Sequence, residues 1–331
     1  RDALVARAAA GIEVRVLVDA LGSSSLPDEF FRPLELAGGR AAAFSPLSRL
    51  TKLFKKSRFD FRNHRKLLIV DGQLGFTGGI NIGDEYLGKS AHLGRWRDTH
   101  LSVSGPAVLG LQQAFVEDWL WATGQLLKDD EKRRGRAPFF PIPTAPFPGN
   151  DVVLVVDSGP DRHWLPIHRL HVQAINVAEK RVWLTNPYFL PDKVMEEALI
   201  TASLRGVDVA ILLPLRNDSR LVAFASAVTF RPLLEAGVRI FRYRSGFVHA
   251  KTLVVDDWLG TVGSANMDVR SFQLNFELNA FVFGKEFARA LANTFTRDIG
   301  EAQRVLLKDE RAVSYTTRVL RQIASLFSPL L

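Results

Sequence analysis

Two hydrophobic periods alternate along the chain, which predicts helices and strands in succession. The segment "DALVARAAAGIEVRVLVDA" reads as a helix that ends at Gly11 and leads into a buried, β-branched strand. The same order returns in "EALITASLRGVDVAILLPL", around Gly206. Strands that alternate with helices predict the α/β class, with substantially parallel sheets and antiparallel hairpins in places.

An internal repeat organises these elements, because "NHRKLLIVDGQLGFTGGIN" returns as "VHAKTLVVDDWLGTVGSAN". Upstream, "FRPLELAGGR" pairs with "FRPLLEAGVR", and downstream "WRDTHLSV" takes the place of "FELNAFVF". A repeat of this length sets the architecture before any single element does. Five identities recur with a constant offset of 185 residues: His64, Lys66, Asp71, Gly78 and Asn81 match His249, Lys251, Asp256, Gly263 and Asn266.

The repeat predicts three segments. Residues 1–127 form a first repeat, residues 128–150 a Pro-rich linker, and residues 151–331 a second repeat with a C-terminal amphipathic tail. The second repeat contains an additional strand, "RVWLTNPYF", ahead of its motif. The first repeat shows no counterpart, so we expect its leading strand to be absent from this sequence.

The repeated motif has a chemical rationale. Alternation along a strand would put His64 and Lys66 on one face, and likewise His249 and Lys251. An ammonium group lowers the pKa of a nearby imidazole and keeps it neutral, as a nucleophile or base requires. The lysine also offers a point charge to phosphate. The aspartates at 71 and 256 have the opposite parity and precede turns, so we interpret them as supports.

Two facing copies would supply a nucleophile, an acid and two lysines around one phosphate. Asn81 and Asn266 could donate amide hydrogens to the same oxygens. Small residues allow close approach of a ligand to the backbone: Gly78, Gly79, Gly263 and Ser264. This set predicts phosphodiester exchange through a phosphohistidine, with neither a metal nor another cofactor.

The charge balance narrows the partners. The chain has 43 Lys and Arg against 35 Asp and Glu, a net charge of +8, which favours nucleic acid, acidic lipid or phosphorylated small molecules. The absence of cysteine excludes disulfides and thiol nucleophiles. No apolar run approaches the roughly 18 residues of a membrane span.

Both motif copies resemble the paired H-x-K-x4-D-x6-G-x2-N motifs of the phospholipase D superfamily. Within it the chain is similar to bacterial cardiolipin synthases, through "FRNHRK", "GINIGDEY", "SGPAVLGLQQAFVEDW", "TNPYFLPD" and "NMDVRSFQLNFE". The resemblance implies two repeats, each a mixed, mostly parallel sheet flanked by helices, in a pseudo-twofold single-chain dimer. It also implies transfer of a phosphatidyl group between two phosphatidylglycerol molecules, with release of glycerol.

The resemblance also assigns roles. It implies that His64 attacks phosphorus and that His249 serves as acid and base. It further implies an acidic residue beside each imidazole, which we expect to be Asp98 for His64 and Glu277 for His249. The spacing differs, 34 residues in the first repeat against 28 in the second, which weakens the assignment of Asp98.

The expected partners are an anionic phospholipid, phosphatidylglycerol, and the surface of the cell membrane, with no nucleic acid; protein partners are unknown. Two alternatives remain: hydrolysis by the same site in a phospholipase D or nuclease, and a scaffold protein with a decayed site, which two complete motifs disfavour. Two segments could touch lipid, the basic and aromatic residues 49–62 and the tail from Ser314. For the tail, packing on the protein's own core is favoured.

Overall fold

The computed structural model describes residues 1–44, 61–89, 94–129, 138–143, 147 and 149–327. Its first part contains helices α1 (Asp2–Ala9), α2 (Arg32–Leu36) and α3 (Val108–Thr123) and a short 3-10 helix (Asp84–Leu87). The strands of this part are β1 (Arg15–Asp19), β2 (Arg40–Phe44), β3 (Arg62–Asn63), β4 (Leu67–Val70), β5 (Leu74–Gly78), β6 (Trp96–Arg97) and β7 (His100–Ser104).

The second part is larger. Its helices are α4 (Pro166–Asn176), α5 (Lys193–Leu204), α6 (Arg220–Ser226), α7 (Phe230–Glu235), α8 (Val269–Gln273), α9 (Lys285–Gly300), α10 (Leu307–Arg311) and α11 (Tyr315–Ser325). Its strands are β8 (Val152–Ser158), β9 (Arg181–Thr185), β10 (Phe189–Leu190), β11 (Asp208–Pro214), β12 (Arg239–Tyr243), β13 (Phe247–Val248), β14 (Thr252–Val255), β15 (Leu259–Gly263), β16 (Met267–Asp268), β17 (Asn275–Phe283) and β18 (Ala302–Arg304).

Local sequence explains where several helices begin and end. The carboxylate of Asp192 accepts a hydrogen bond from the amide of Met195 at the start of α5. The hydroxyl of Ser219 accepts one from the amide of Val222 at the start of α6. Helix α3 ends at Gly124, whose φ of 72° lies in the left-handed region. Each of these signals is local and therefore visible in the sequence.

The main sheet runs in the order β18-β12-β11-β9-β14-β15-β17-β3, with β8 also paired to β17. After Asp208, strand β11 is apolar as far as Pro214, because helices α5 and α7 pack on one of its faces and α9 on the other. The mixed α/β class is confirmed. The predominance of parallel pairing is not confirmed: among the described strands of this sheet, five pairings are antiparallel and three parallel, since β9, β14, β15 and β17 pair antiparallel in succession.

The hairpins of the two repeats have the same register. Leu67 pairs with Thr77 across β4 and β5, and Thr252 pairs with Val262 across β14 and β15, each 185 residues later. The largest hydrophobic cluster lies in the second repeat, where Leu184, Ile211 and Leu253 of the sheet pack with helices α4, α5 and α7. The hairpin that follows each motif is therefore a shared structural unit.

The first repeat differs in the continuity of its sheet. Strands β1 and β2 form one small sheet and β4, β5 and β7 another, whereas in the second repeat β9 joins β11 to β14. Leu68 and Val70 of β4 are exposed, while their counterparts Leu253 and Val255 are buried. Among the described residues no strand takes the place of β9 in the first repeat.

The two repeats also exchange strands. Strand β3 of the first repeat pairs with β17 of the second, and β13 of the second repeat pairs with β6 of the first. Each repeat therefore contributes a two-residue strand that pairs with the other repeat. Both exchanges lie immediately before a motif histidine. The predicted linker at 128–150 lies partly outside the described residues, and the predicted segment boundaries stay a prediction.

Candidate active site

In each motif the chain passes from a strand that pairs with the other repeat to a strand that pairs within its own repeat. His64 and Lys66 fall between β3 and β4, and His249 and Lys251 fall between β13 and β14. The expectation that one continuous strand carries each histidine and lysine is therefore wrong. The reason is the strand exchange: the residues before each histidine pair with the other repeat, and those after each lysine pair within their own.

The backbone of each motif histidine is held by the opposite repeat. The amide of His64 donates to the carbonyl oxygen of Phe276 over 2.9 Å, and the amide of His249 donates to that of Arg97 over 2.8 Å. Phe276 precedes Glu277, and Arg97 precedes Asp98. Each imidazole is thus placed beside the carboxylate of the other repeat.

The imidazole–carboxylate pairs cross between the repeats. Nδ1 of His64 lies 2.9 Å from Oε1 of Glu277, and Nδ1 of His249 lies 2.8 Å from Oδ2 of Asp98. The two carboxylates were predicted correctly as partners of the histidines, but the expected pairing within each repeat was wrong. A carboxylate on Nδ1 fixes the tautomer and leaves Nε2 as the reactive nitrogen.

Each carboxylate lies against a small residue of its own repeat, at equivalent motif positions. Ser264 donates its hydroxyl to Oε2 of Glu277 over 2.5 Å, and the side-chain amide of Asn275 donates to Oε1 over 3.2 Å. Gly79 stands 185 residues before Ser264, and a Cβ atom there would collide with the carboxylate of Asp98. Ser264 therefore binds the carboxylate of Glu277, and Gly79 leaves the space that the carboxylate of Asp98 occupies.

His249 is enclosed by aromatic rings. The hydroxyl of Tyr86 lies 2.9 Å from Nδ1 of His249 and 3.0 Å from Oδ2 of Asp98, so Tyr86 is a third member of this pair. Sequence reasoning missed it, because Tyr86 has no repeat counterpart: Ser271 occupies the equivalent position. The ring centroids that lie 4.9 to 6.2 Å from the imidazole belong to Tyr86, Trp96, Tyr188 and Phe247.

The motif lysines lie against the histidines. Nζ of Lys66 donates to the carbonyl oxygen of His64 over 2.6 Å, and Nζ of Lys251 donates to that of His249 over 2.7 Å. Nζ of Lys251 is also 2.9 Å from each ring nitrogen of His249. Burial lowers the pKa of Lys66 to about 7 and that of Lys251 to about 8. Anionic substrate would restore their charge.

The pKa of each motif histidine lies below its ordinary value, which favours the neutral imidazole at pH 7. Burial is the main cause, and it lowers the pKa of His249 to about 3, with Lys251 adding to the effect. Burial also lowers the pKa of His64, against the opposing charge of Glu277. For the carboxylates burial opposes ionisation, but hydrogen bonds and nearby positive charge prevail and keep the pKa of Glu277 and of Asp98 low.

The motif aspartates lie in turns, as predicted. Asp71 and Asp256 have φ angles of 53° and 51° and link the two strands of their hairpins. The carboxylate of Asp256 accepts hydrogen bonds from the backbone amides of Glu179, Lys180 and Arg181 over 2.7 to 3.0 Å. Asp256 therefore anchors the start of β9 and does not join the imidazoles.

A buried arginine supports the first motif and was missed by sequence reasoning. Arg65 donates to the carboxylates of Asp118 and Asp157 over 2.6 and 3.0 Å, and to the carbonyl oxygen of Glu277 over 3.1 Å. It thereby fixes the backbone on either side of the His64–Glu277 pair. The segment "FRNHRK" contains Arg65, but the alternation of side chains along a strand does not indicate a partner for it.

The remaining site predictions are placed but untested. Asn266 is buried, with its side-chain oxygen unpaired among the described residues, and Asn81 is partly buried. Their phosphate-binding role, and the absence of a metal from the reaction, stay predictions. Most of the basic and aromatic segment 49–62 lies outside the described residues. In the part of the chain described, no helix combines the length and hydrophobicity of a membrane span.

Comparisons with known proteins identify the family of this chain. A family model described as "Cardiolipin synthase, PLD-like domain" matches residues 171–299. The crystal structure of a phosphatidylserine synthase from Haemophilus influenzae Rd KW20 has the same fold, with a TM-score of 0.66, 13% identity, and coverage of 96% of this chain and 83% of that one. The paired motifs, this family model and 40% identity to a curated cardiolipin synthase over the whole chain show that the chain belongs to the phospholipase D superfamily.

The branch within the superfamily is that of the bacterial cardiolipin synthases. A cardiolipin synthase from Geobacillus thermodenitrificans (strain NG80-2) is 40% identical over 331 residues, 100% of this chain and 64% of that protein. Cardiolipin synthase A from Pseudomonas putida (strain W619) is 41% identical over 329 residues, 99% of this chain and 66% of that protein. The chain thus spans a little less than two thirds of the length of these relatives.

Proposed function

We propose that this protein is a phosphatidyltransferase of the cardiolipin synthase type, acting at the surface of the cell membrane. Its substrate would be phosphatidylglycerol, which serves as donor in the first step and as acceptor in the second. The observation that carries the proposal is the pair of crossed imidazole–carboxylate contacts with a lysine beside each imidazole. This set supplies a nucleophile, a proton carrier and positive charge around a single phosphate.

In the first step His64 attacks. Its Nε2 forms a bond to phosphorus while the bond from phosphorus to the glycerol oxygen breaks, and His249 gives a proton to the departing glycerol. Glu277, on Nδ1 of His64, stabilises the positive charge that the ring acquires. The greater exposure of the His64 side chain, 27% against 4% for His249, favours His64 as the attacking group.

In the second step the hydroxyl group of another phosphatidylglycerol attacks the phosphohistidine. His249 takes the proton of that hydroxyl, and the nitrogen–phosphorus bond breaks to give cardiolipin. The low pKa of His249 keeps its ring nitrogen unprotonated and free to accept that proton. As acid in the first step it needs a bound anionic diester, whose charge offsets the two lysines and raises the pKa of the imidazole.

Incubation with phosphatidylglycerol vesicles tests the proposal. We expect cardiolipin and glycerol by mass spectrometry, and no cardiolipin from His64→Ala, whereas His163→Ala, which changes an exposed histidine, should behave as the unmodified protein. Phosphatidic acid as the main product would instead show hydrolysis. No turnover of phosphatidylglycerol would contradict the proposed substrate.

A further inference from the structure

Helix α11 turns its apolar face to solvent. The side chains of Leu320, Ile323 and Leu326 are 55%, 50% and 77% exposed, and Tyr315, Val319 and Phe327 on the same side are also exposed. The helix instead packs against α6 through the small residue Ala324. The interpretation that this apolar face covers the protein's own core is therefore wrong.

Helix α6 extends the apolar face. Its residues Leu221 and Phe224 are exposed, while Val222 and Ala225 pack against Ala324 of α11. The exposed apolar side chains of these two packed helices are here called the α6–α11 surface. It consists of Leu221, Phe224, Val319, Leu320, Ile323, Leu326 and Phe327. Apolar side chains grouped in this way mark a binding surface more often than single exposed ones do.

The α6–α11 surface lies close to the candidate active site. The cluster beneath it joins Ala324, Val222 and Leu190 to Tyr188. The ring centroid of Tyr188 is 6.2 Å from that of His249. A continuous set of packed side chains therefore connects the helices that carry this surface to a motif histidine, which suits a head group whose acyl chains stay in a bilayer.

Charge selects the occupant. Helices α6 and α11 carry Arg220, Arg318 and Arg321 and contain no Asp or Glu. Arg220 and Arg318 are exposed, whereas Arg321 pairs with Glu310. Two exposed arginines on helices that also carry exposed apolar side chains match a bilayer that contains anionic lipid. A second copy of the chain would bring the same positive charge against itself, which disfavours self-association through this surface.

We propose that the α6–α11 surface rests on an anionic bilayer and positions the active site over its lipid substrate. The assignment rests on the proposed function, because the lipid nature of the substrate explains why an apolar surface adjoins the site. The apolar side chains would enter the boundary between head groups and acyl chains, and the arginines would contact lipid phosphates.

The experiment separates binding to vesicles from chemistry. The double variant Ile323→Gln/Leu326→Gln is compared with the unmodified chain and with Leu204→Gln, a matched change at an exposed leucine of α5. Binding is measured by co-sedimentation with vesicles of phosphatidylglycerol and phosphatidylcholine. Turnover is measured separately with dihexanoyl phosphatidylglycerol below its critical micelle concentration, and thermal unfolding verifies that each variant is folded.

We expect the double variant to bind vesicles at least about tenfold more weakly, because two buried leucine-sized contacts are lost, with unchanged turnover of the monomeric lipid. Leu204→Gln should bind as the unmodified chain does. Arg318→Gln should reduce the preference for vesicles with phosphatidylglycerol over pure phosphatidylcholine.

Two results would overturn the proposal. One is vesicle binding by the double variant that equals that of the unmodified chain. The other is a change in self-association, seen by analytical ultracentrifugation, with vesicle binding intact, which would assign the surface to a second copy. Failure of the unmodified chain to turn over the monomeric lipid would contradict the proposed function. The comparison of vesicle binding between the double variant and the unmodified chain would still test the α6–α11 surface.

Discussion

The two motif histidines have the same sequence motif but different surroundings. His64 is partly exposed, and its carboxylate partner Glu277 is held by Ser264 and Asn275. His249 is enclosed by aromatic rings, and its partner Asp98 is shared with the hydroxyl of Tyr86. The repeat therefore duplicates the reacting groups, while residues outside the motif make the two halves unlike.

This difference suits two different tasks. An attacking imidazole needs an open path to phosphorus, whereas an imidazole that exchanges protons with alcohols benefits from a site that excludes water. The crossed contacts add a second lesson. Because each imidazole and its carboxylate come from opposite repeats, neither repeat alone contains a complete pair.

Removal of the carboxylates should give the largest effects. We expect Glu277→Gln and Asp98→Asn each to reduce kcat by about 10³- to 10⁴-fold, because the orientation and charge stabilisation of the imidazole are lost. Steady-state kinetics with phosphatidylglycerol would measure this loss.

Double-mutant cycles would decide which carboxylate serves which histidine. Glu277→Gln should add little to His64→Ala, and Asp98→Asn should add little to His249→Ala, since each pair acts as a unit. Strong coupling of Glu277 to His249 in place of His64 would contradict the crossed arrangement.

The lysines should give the next largest effect and an alkaline limit to activity. The ammonium groups bind the diester only when protonated, so kcat/KM should fall as pH rises through about 7 to 8, the pKa values of Lys66 and Lys251. Lys66→Arg should be about 10²-fold less active, because a guanidinium group fits the site poorly, but its alkaline decline should move upward. A decline that stays at the same pH would rule out Lys66 as its source.

Tyr86 should have a moderate effect confined to one half. We expect Tyr86→Phe to reduce kcat about tenfold and to shift its pH profile, because one hydrogen bond to the His249–Asp98 pair is lost. The matched control is Ser271→Ala at the equivalent position, because among the described residues no hydrogen bond joins its hydroxyl to a motif histidine or to Asp98 or Glu277. Equal losses in both variants, or an unchanged pH profile in Tyr86→Phe, would show that Tyr86 has no special role.

The motif aspartates should affect stability more than catalysis. Asp256→Asn should lower the free energy of unfolding by about 1–3 kcal/mol at neutral pH, because three backbone amides lose a charged acceptor. Asp71→Asn should cost less, since no backbone amide among the described residues donates to its carboxylate. Chemical denaturation would compare the two.

The pH dependence of this loss has a defined sign. Although burial opposes ionisation, three amides keep the pKa of Asp256 below its ordinary value. The stabilisation is therefore present above the unfolded pKa of about 3.9 and disappears as pH falls through the folded value. A difference between Asp256→Asn and the unmodified chain that grows as the pH falls from neutral would contradict this account.

The sequence predicted the features that recur in both repeats. The identical spacing of five motif residues anticipates the identical register of the hairpins that begin with β4 and β14. It could not reveal the crossed pairs, because Glu277 and Asp98 lie 213 and 151 residues from their histidines and only the strand exchange brings them together. Tyr86 has no counterpart in the second repeat, so comparison of the repeats could not indicate its role. In α11, periodicity defined an apolar face but not whether that face is covered.

A burst experiment with an activated donor tests the central claim most directly. Phosphatidyl-p-nitrophenol has a leaving group that needs no proton, so the first step should survive without His249 and fail without His64. We predict that His249→Ala releases about one equivalent of p-nitrophenol rapidly and carries the phosphatidyl group on His64, as peptide mass spectrometry would show, whereas His64→Ala shows no burst. A burst in His64→Ala with the adduct on His249 would contradict the assignment of the two histidines.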